Sequence, residues 1–434
     1  MPGNTFITFL KNTLNSLKVG FFLAFRQIRR SGKGTTTLII FIMILTFLNL
    51  VVVSGLLVGL ISGSFKQFRE SYSGEVLVTS APGKNYIENS PNLISYLNNH
   101  PQVDAISPRY NQSVQLLGTL NRLPAKDERA NRIGIRMVGI DLEKEETLTK
   151  FSRFIKYGQN LQVGEEGYAL IGANMIKKYS SFADANIPGL DLLENVDVGS
   201  RVRISFATPD GNNVQKDFII KGIVKSKVDE ISTRLFIHDD ELKRLLPINQ
   251  QQVQEIAIRT DYDNANNLVA ELTAFMGSYD ARIQTTDDAI PSFLRDIETT
   301  MSLLGNALSS IALVVASITI FIVIFINAVT RRKFIGIMKG IGISPRAIIF
   351  SYMFQAVFYG ALGSTIGLLL TFGFLRPFFD ANPIDFPFSD GILVVTAGGA
   401  AVRVAILFGV TIFAGYLPAK LIVRKNTLDS ILGR

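Results

Sequence analysis

A membrane α-helical fold with four transmembrane helices and one large extracytoplasmic α+β domain is what this 434-residue sequence predicts. Two observations carry that expectation. Four long apolar stretches are placed unevenly, one near Thr37–Ile61 and three after residue 306, with a mostly polar segment between. A bilayer core takes roughly 20 helical residues to cross, so each stretch can span it. Charge is segregated too: residues 1–34 hold six Lys/Arg and no acid, and residues 331–346 hold five and none. Residues 62–306 hold 27 basic and 32 acidic residues. Basic charge beside membrane ends is the positive-inside pattern, which puts both termini and the 331–346 loop in the cytoplasm and the large domain outside. The same distribution removes nucleic acid as the reason for the net charge of +8.

Taken in order, residues 1–34 come first. Phe6, Leu10, Leu14, Leu17, Phe21, Phe25 and Ile28 recur every three or four positions opposite Lys11, Lys18, Arg26 and Arg29. This predicts a cytoplasmic amphipathic helix lying among membrane lipid headgroups. Arg30 to Thr36 looks superficially like a phosphate loop, but Gln27 stands where its first glycine belongs and no strand precedes it. The first span, 35–61, is too long for a signal-peptide core and is read as a retained anchor.

Uncharged runs at 34–65 and 299–330 would each measure about 48 Å as helix, against a core of about 30 Å. Both are expected to project beyond the membrane. Leu57, Ile61, Phe65, Phe68 and Tyr72 form a near-heptad stripe, and Phe293, Ile297, Met301, Leu304, Leu308 and Ile311 form another. Such stripes can pair as a stalk. Within 62–306, strands are expected at 75–80, 135–139, 201–206, 217–224, 234–237 and 255–259, and helices at 92–99, 239–246 and 264–276. Pro209-Asp210-Gly211 suits a hairpin turn. A subdomain inserted at about 139–252 divides the domain in two.

The remaining expected segments are span two at 307–330, a cytoplasmic coupling loop at 331–346, span three at 347–375, an outer connector at 376–396, span four at 397–418 and a tail at 419–434. Gly360, Gly363 and Gly367 allow a close helix contact in span three, either within one subunit or between two. Arg403 in span four either reaches the outer headgroups or pairs inside. Catalytic and metal sites are not expected. Cysteine is absent, and His100 and His238 lack partners at ligand spacing.

The coupling loop is the most specific stretch. Ile335, Met338 and Ile341 are expected to share a face of a short helix whose glycines, Gly336, Gly340 and Gly342, permit close approach, with Ser344-Pro345 starting the next helix. With Phe334 and Lys339 these residues look like a docking plug. At this point the chain resembles the FtsX-like permease family of ABC transporters, which includes MacB-type exporters and LolC/LolE-type lipoprotein extractors. Its loop has the form E/R-x-x-I-G-x-x-R/K-A-L-G-x-S/T, matched here at Ile335, Gly336, Lys339, Ile341, Gly342 and Ser344, with Gly340 where alanine is usual. Gly415 to Lys420 resembles the family's G-x-x-P-A-R/K exit, Asn426 to Leu432 its closing stretch without the proline, and Ala24 to Ile28 its A-x-R-N-L opening. Val138-Gly139-Ile140, Val198-Gly199 and Ile219 to Val224 look like the MacB periplasmic core domain.

The resemblance implies a permease subunit with no cofactor of its own, working with a separate cytoplasmic ABC ATPase that holds ATP and Mg. It further implies a second permease subunit, as homodimer or paralogous heterodimer, membrane lipids around it, and a periplasmic adaptor as a further partner. Residence in the plasma (inner) membrane follows. The cargo would be lipophilic, peptide or lipoprotein. The alternative is a transmembrane signalling scaffold that activates an extracytoplasmic cell-wall hydrolase.

Overall fold

Apolar length decides where the long helices fall. In the computed structural model the described residues are 3–30, 32–118, 131–184, 191–208, 211–246, 252–277, 280–386 and 389–424. The chain opens with α1 (Gly3–Arg29) and α2 (Lys33–Phe68). Next come β1 (Val76–Ser80), α3 (Ser90–Asn98), β2 (Val103–Leu117), β3 (Arg132–Ile140), α4 (Leu142–Thr149), β4 (Ile155–Gly158), β5 (Tyr168–Gly172), β6 (Arg201–Ala207) and β7 (Asn213–Val224). They are followed by α5 (Asp229–Ser232), β8 (Arg234–His238), α6 (Asp239–Leu245), β9 (Glu255–Thr260), α7 (Ala265–Met276), β10 (Ala281–Thr285) and α8 (Thr286–Ala289). The last part holds α9 (Ser292–Thr330), α10 (Arg332–Gly340), α11 (Pro345–Leu370), α12 (Arg376–Ala381), β11 (Ile384–Asp385), β12 (Asp390–Gly391) and α13 (Ala397–Val423).

These elements form two units, a helical one (Met1–Ile61, Asp296–Ile384, Gly391–Arg434) and a sheet unit (Ser62–Arg295, Asp385–Asp390). Among the described residues four helices are long and apolar enough to cross a membrane, which with the mixed sheet is the expected fold class. Their apolar side chains meet in one core, built from Met43, Phe47, Ile324, Tyr352, Leu407 and neighbours. A Cβ at Gly363 would stand 2.5 Å from Met43 Cβ, and one at Gly367 2.4 Å from Phe47 Cδ1, so the glycine seam of α11 is filled by α2 of the same chain. Gly360 is looser, with Thr411 at 3.5 Å. Arg403 donates from Nη2 to Ser54 Oγ at 2.6 Å.

The helical unit departs from expectation at two places. α1 is half embedded: Gly20 and Ala24 are buried, with a Cβ at Gly20 only 2.8 Å from Phe350 Cβ, while Leu14, Phe21 and Phe25 face outward. Phe6, Leu10 and Lys11 have side chains outside the description. The helix of span three continues past 375, through a π turn (Thr371–Leu375) into α12, which ends at Ala381. Pro377 has no N–H to continue an α ladder, and the wider turn absorbs the missing bond.

In the sheet unit, nine strands follow the order β10-β1-β9-β2-β3-β8-β5-β7-β4, with β6 paired to β2 and β7. β3 and β8 are parallel, as are β5 and β7, and the other ladders are antiparallel. β3–β8 pairing carries one sheet through both halves of the expected division. All six expected strands and three expected helices are present, and β6 and β7 do pair antiparallel, although Pro209 and Asp210 of their turn lie outside the described residues. β2, β4, β5, β10, α4, α5 and α8 are additions. β2 escaped notice because its centre, Ser107-Pro108-Arg109, breaks the apolar alternation that marks a strand.

Candidate coupling site

α10 is a short helix with strong end signals. Gly342 has φ of +90°, and Ile343 N donates to Met338 O (3.0 Å) and Gly342 N to Lys339 O (3.1 Å), which closes the helix in a left-handed cap suited to glycine. Ser344 Oγ then accepts from Ala347 N at 3.2 Å and Pro345 opens α11. Ser16 of α1 touches the same turn, its Oγ 3.1 Å from Ser344 Oγ. Lys339 Nζ donates to Val423 O, the last helical carbonyl of α13, at 3.1 Å, where a cation also meets the negative end of the helix dipole.

The expected shared face of Ile335, Met338 and Ile341 is corrected by this geometry. Ile335 is 1 % exposed and joins the core of the helical unit, with Met338 and Ile343 packed beside it and Gly336 buried. Ile341 falls just past the helix end and is 72 % exposed. It joins Phe334 (67 %) and Ile337 (50 %) in the outward apolar group. Ile337 was the residue missed from the candidate set, and the i, i+3 spacing from Phe334 was the available signal. Beside this group lies a hollow of about 630 Å³ lined by Asn15, Val19, Gly342, Pro345 and Arg346, so α1, the loop and α11 bound one surface.

The candidate stalk residues separate as well. Phe68 is buried in a core of the sheet unit with Phe65 packed against it, whereas Ile297 and Met301 are half-buried and Leu304 is exposed. In the helical unit a Cβ at Gly305 would lie 3.0 Å from Leu57 Cδ1, the close approach of α9 to α2.

In the sheet unit, α2 passes into a π turn, Arg69–Ser73, that ends in a buried ionic anchor. Arg109 donates from Nη2 to Tyr72 O (2.8 Å) and to Glu145 Oε1 (2.7 Å), from Nε to Glu145 Oε2 (2.9 Å), and from Nη1 to Glu255 Oε1 (2.7 Å). Tyr72 Oη donates to Glu255 Oε2 and accepts from Arg234 Nη2, both at 2.6 Å. Ser107 Oγ adds a 2.6 Å bond to Glu145. Burial alone would raise the Glu255 carboxyl, but Arg234, Arg109 and the Tyr72 hydrogen bond hold it down at about 2. Burial chiefly pushes the Tyr72 hydroxyl up, so it stays a neutral donor. Buried charges of this kind depend on such pairing; Arg234 Nη1 makes no hydrogen bond among the described residues, lying 3.7 Å from Glu255 Oε2. Ser73 Oγ lies 3.1 Å from Thr286 Oγ1, which also bonds Gly74 O, so the segments leading from α2 and toward α9 are pinned side by side. Sequence reading could not find this anchor, because Glu145 and Glu255 lie 36 and 146 positions from Arg109.

Comparison with known proteins gives partial matches. Residues 306–427 match the FtsX-like permease C-terminal family, a range that contains α10 and the three C-terminal long helices. Among curated relatives, the macrolide export ATP-binding/permease protein MacB of Hahella chejuensis is 30 % identical over 42 % of this chain and 28 % of its own length. The ABC transporter permease YtrF of Bacillus subtilis is 26 % identical over 50 % of this chain and 52 % of its own. The chain thus spans between about a quarter and a half of the length of these relatives. Among solved structures, the periplasmic region of MacB from Actinobacillus actinomycetemcomitans is similar at 13 % identity and a TM-score of 0.33, covering 52 % of this chain and 94 % of that one. The extracellular domain of YknZ from Gram-positive bacteria gives 12 %, 0.29, 48 % and 99 %.

Proposed function

We propose that this chain is the permease subunit of an ABC transporter in the plasma (inner) membrane, with both termini and α10 in the cytoplasm and the sheet unit outside. The observation that carries this reading is the outward group Phe334, Ile337 and Ile341, displayed on a helix whose opposite face is locked into the core by Ile335 and Met338. Exposed apolar side chains preceded in the chain by Arg331, Arg332 and Lys333 suit a groove on a cytoplasmic ABC ATPase, which would hold ATP and Mg. Movement of the ATPase would reach α10 through this contact. It would then pass along α2 and α9, which run unbroken for 36 and 39 residues. A second permease subunit fits α9, whose most apolar window is 12 % buried against 28–33 % in the other three long helices. A periplasmic adaptor would complete the path. The resemblance to a relative named for macrolide export supports a lipophilic cargo over a peptide or lipoprotein.

Changing Ile341 to Asp tests the reading. A central apolar anchor dominates contacts of this size, so co-isolation of the ATPase from native membranes should fall at least about tenfold while thermal unfolding of the permease stays unchanged. Undiminished co-isolation would remove the docking role. Recovery of a cell-wall hydrolase with the sheet unit, and no cargo transport, would turn the reading to a signalling scaffold.

A further inference from the structure

Arg234 serves the anchor with only part of its guanidinium. Nη2 donates to Tyr72 Oη at 2.6 Å, whereas Nη1 has no hydrogen-bond partner among the described residues although Arg234 is 6 % exposed. Its neighbour adds to the imbalance. β3 and β8 run parallel with Arg136 and Arg234 in register, so both side chains rise from one face of the sheet, about 4.8 Å apart at the backbone. Like charges placed opposite one another on adjoining strands repel. Arg136 is exposed and has no ion-pair partner among the described residues.

Both arginines line an open hollow of about 970 Å³ in the sheet unit, together with Gly134, Asp229 and Glu230. That volume suits a small molecule. Gly134 lies two positions before Arg136 on the same face of β3, and a Cβ there would meet nothing within 4 Å, so glycine leaves this side unfilled. Asp229 and Glu230 come from α5, the short helix that leads into β8. Asp229 Oδ1 accepts from Asn174 Nδ2 at 3.3 Å, and neither carboxylate has a cation within ion-pair distance among the described residues. Burial raises both carboxyls above their ordinary values. A half-buried acid without a cation and a buried guanidinium donor without an acceptor are each unfavourable, and one ligand can relieve both.

We propose that this hollow binds a small zwitterion, its carboxylate held between Arg136 and Arg234 and its ammonium turned toward Asp229 and Glu230. A carboxylate fits the forked donors of arginine. A phosphate monoester fits less well, because its second negative charge would stand against the two acids. Occupancy would give Arg234 the acceptor it lacks, and because the same guanidinium bonds Tyr72, it would also steady the turn Arg69–Ser73. The site lies wholly within the sheet unit and does not depend on the permease reading.

The test uses the full chain in lipid nanodiscs and amide hydrogen exchange. The probes are glycine, 4-aminobutyrate and 6-aminohexanoate as zwitterions, with butyrate and butylamine as singly charged counterparts. At least one zwitterion should slow exchange in β8 and at Tyr72 and Ser73 at least about threefold, saturably, and neither counterpart should match it. Arg136→Gln removes one guanidinium and Gly134→Met fills the hollow. Each should raise the half-saturating concentration at least about tenfold while unfolding of the protein without probe stays unchanged. Glu230→Gln should erase the advantage of the zwitterion over butyrate. No saturable protection by any probe, or protection that survives both Arg136→Gln and Gly134→Met, would overturn the site. Equal protection by butyrate in the parent protein would overturn the zwitterion assignment. Protection of β8 without Tyr72 and Ser73 would overturn the link to the anchor. Loss of ATPase association in the unmodified protein would instead strike the permease reading and leave the exchange result standing.

Discussion

α10 and the anchor around Tyr72 are held by opposite physics. α10 is seated by apolar contacts through Ile335 and Met338 and leaves three apolar side chains uncovered. The anchor fixes the end of α2 with two arginines, two glutamates and a tyrosine, all buried. Apolar contact is non-directional and can be remade with a partner that comes and goes. A forked guanidinium between two carboxylates allows one geometry only. Under the proposed function that difference would give an exchangeable contact at the ATPase and a joint of fixed geometry at the end of α2.

The largest effect should come from breaking the joint. Arg109→Met leaves Glu145 without its two bidentate bonds and Glu255 with one cation fewer, and unpairing a buried ion costs about 3–5 kcal/mol. Unfolding of the sheet unit by denaturant should report that loss, whereas Lys178→Met, which breaks an exposed pair with Asp197, should hardly register. A loss no greater than that of Lys178→Met would mean the anchor has play.

Acid should act next. Glu255 is lowered from its ordinary value of 4.5 to about 2 in the folded protein, so its contribution is complete above 4.5 and disappears as pH falls through 2. Integrated over that window, the linkage is on the order of 3 kcal/mol. Denaturant midpoints measured from pH 6 to pH 2.5 should fall steeply for the parent protein. They should fall less in Glu255→Gln, which starts weaker but has no carboxylate to lose. Equal slopes would show that other carboxylates carry the acid response.

Packing of the helical unit gives a smaller effect, in two grades. Gly363→Val forces a branched side chain into Met43 and should cost about 1–3 kcal/mol, while Gly360→Ala meets nothing closer than 3.5 Å and should be near neutral. Thermal unfolding in detergent separates them. This pair also shows how far the sequence could be read. Glycine spacing in α11 was visible, as were the four spans, because apolar length and small-residue periodicity are local. That Met43 and Phe47 fill the seam was not, since nothing near position 363 names a partner 320 positions earlier. Strands β1, β3, β6, β7, β8 and β9 were legible by alternation. β2 was hidden by the same Ser107 and Arg109 that the anchor buries. In α10 the helix was legible and its orientation was not. A plug drawn as Ile335, Met338 and Ile341 presumed a free helix, whereas burial of Ile335 turned Phe334 and Ile337 outward.

The smallest effect would sharpen the contrast at the α10 end. Lys339 donates a hydrogen bond from its ammonium to the end of α13, and a cation at a helix C-terminus is worth about 0.3–1 kcal/mol. Lys339→Met keeps the apolar stem and removes the charge, so global unfolding should move by no more than that. Exchange at the α10 amides should rise severalfold if the bond to Val423 O steadies the helix. Because Phe334, Ile337 and Ile341 keep their exposure in this variant, ATPase association should persist while its salt sensitivity falls, the loop having lost one of its basic groups. If α10 exchange stays as slow as before, Ile335 and Met338 seat the helix without that bond, and the contrast sharpens: an anchor of paired charges set in an apolar core, against a helix seated by apolar contact alone.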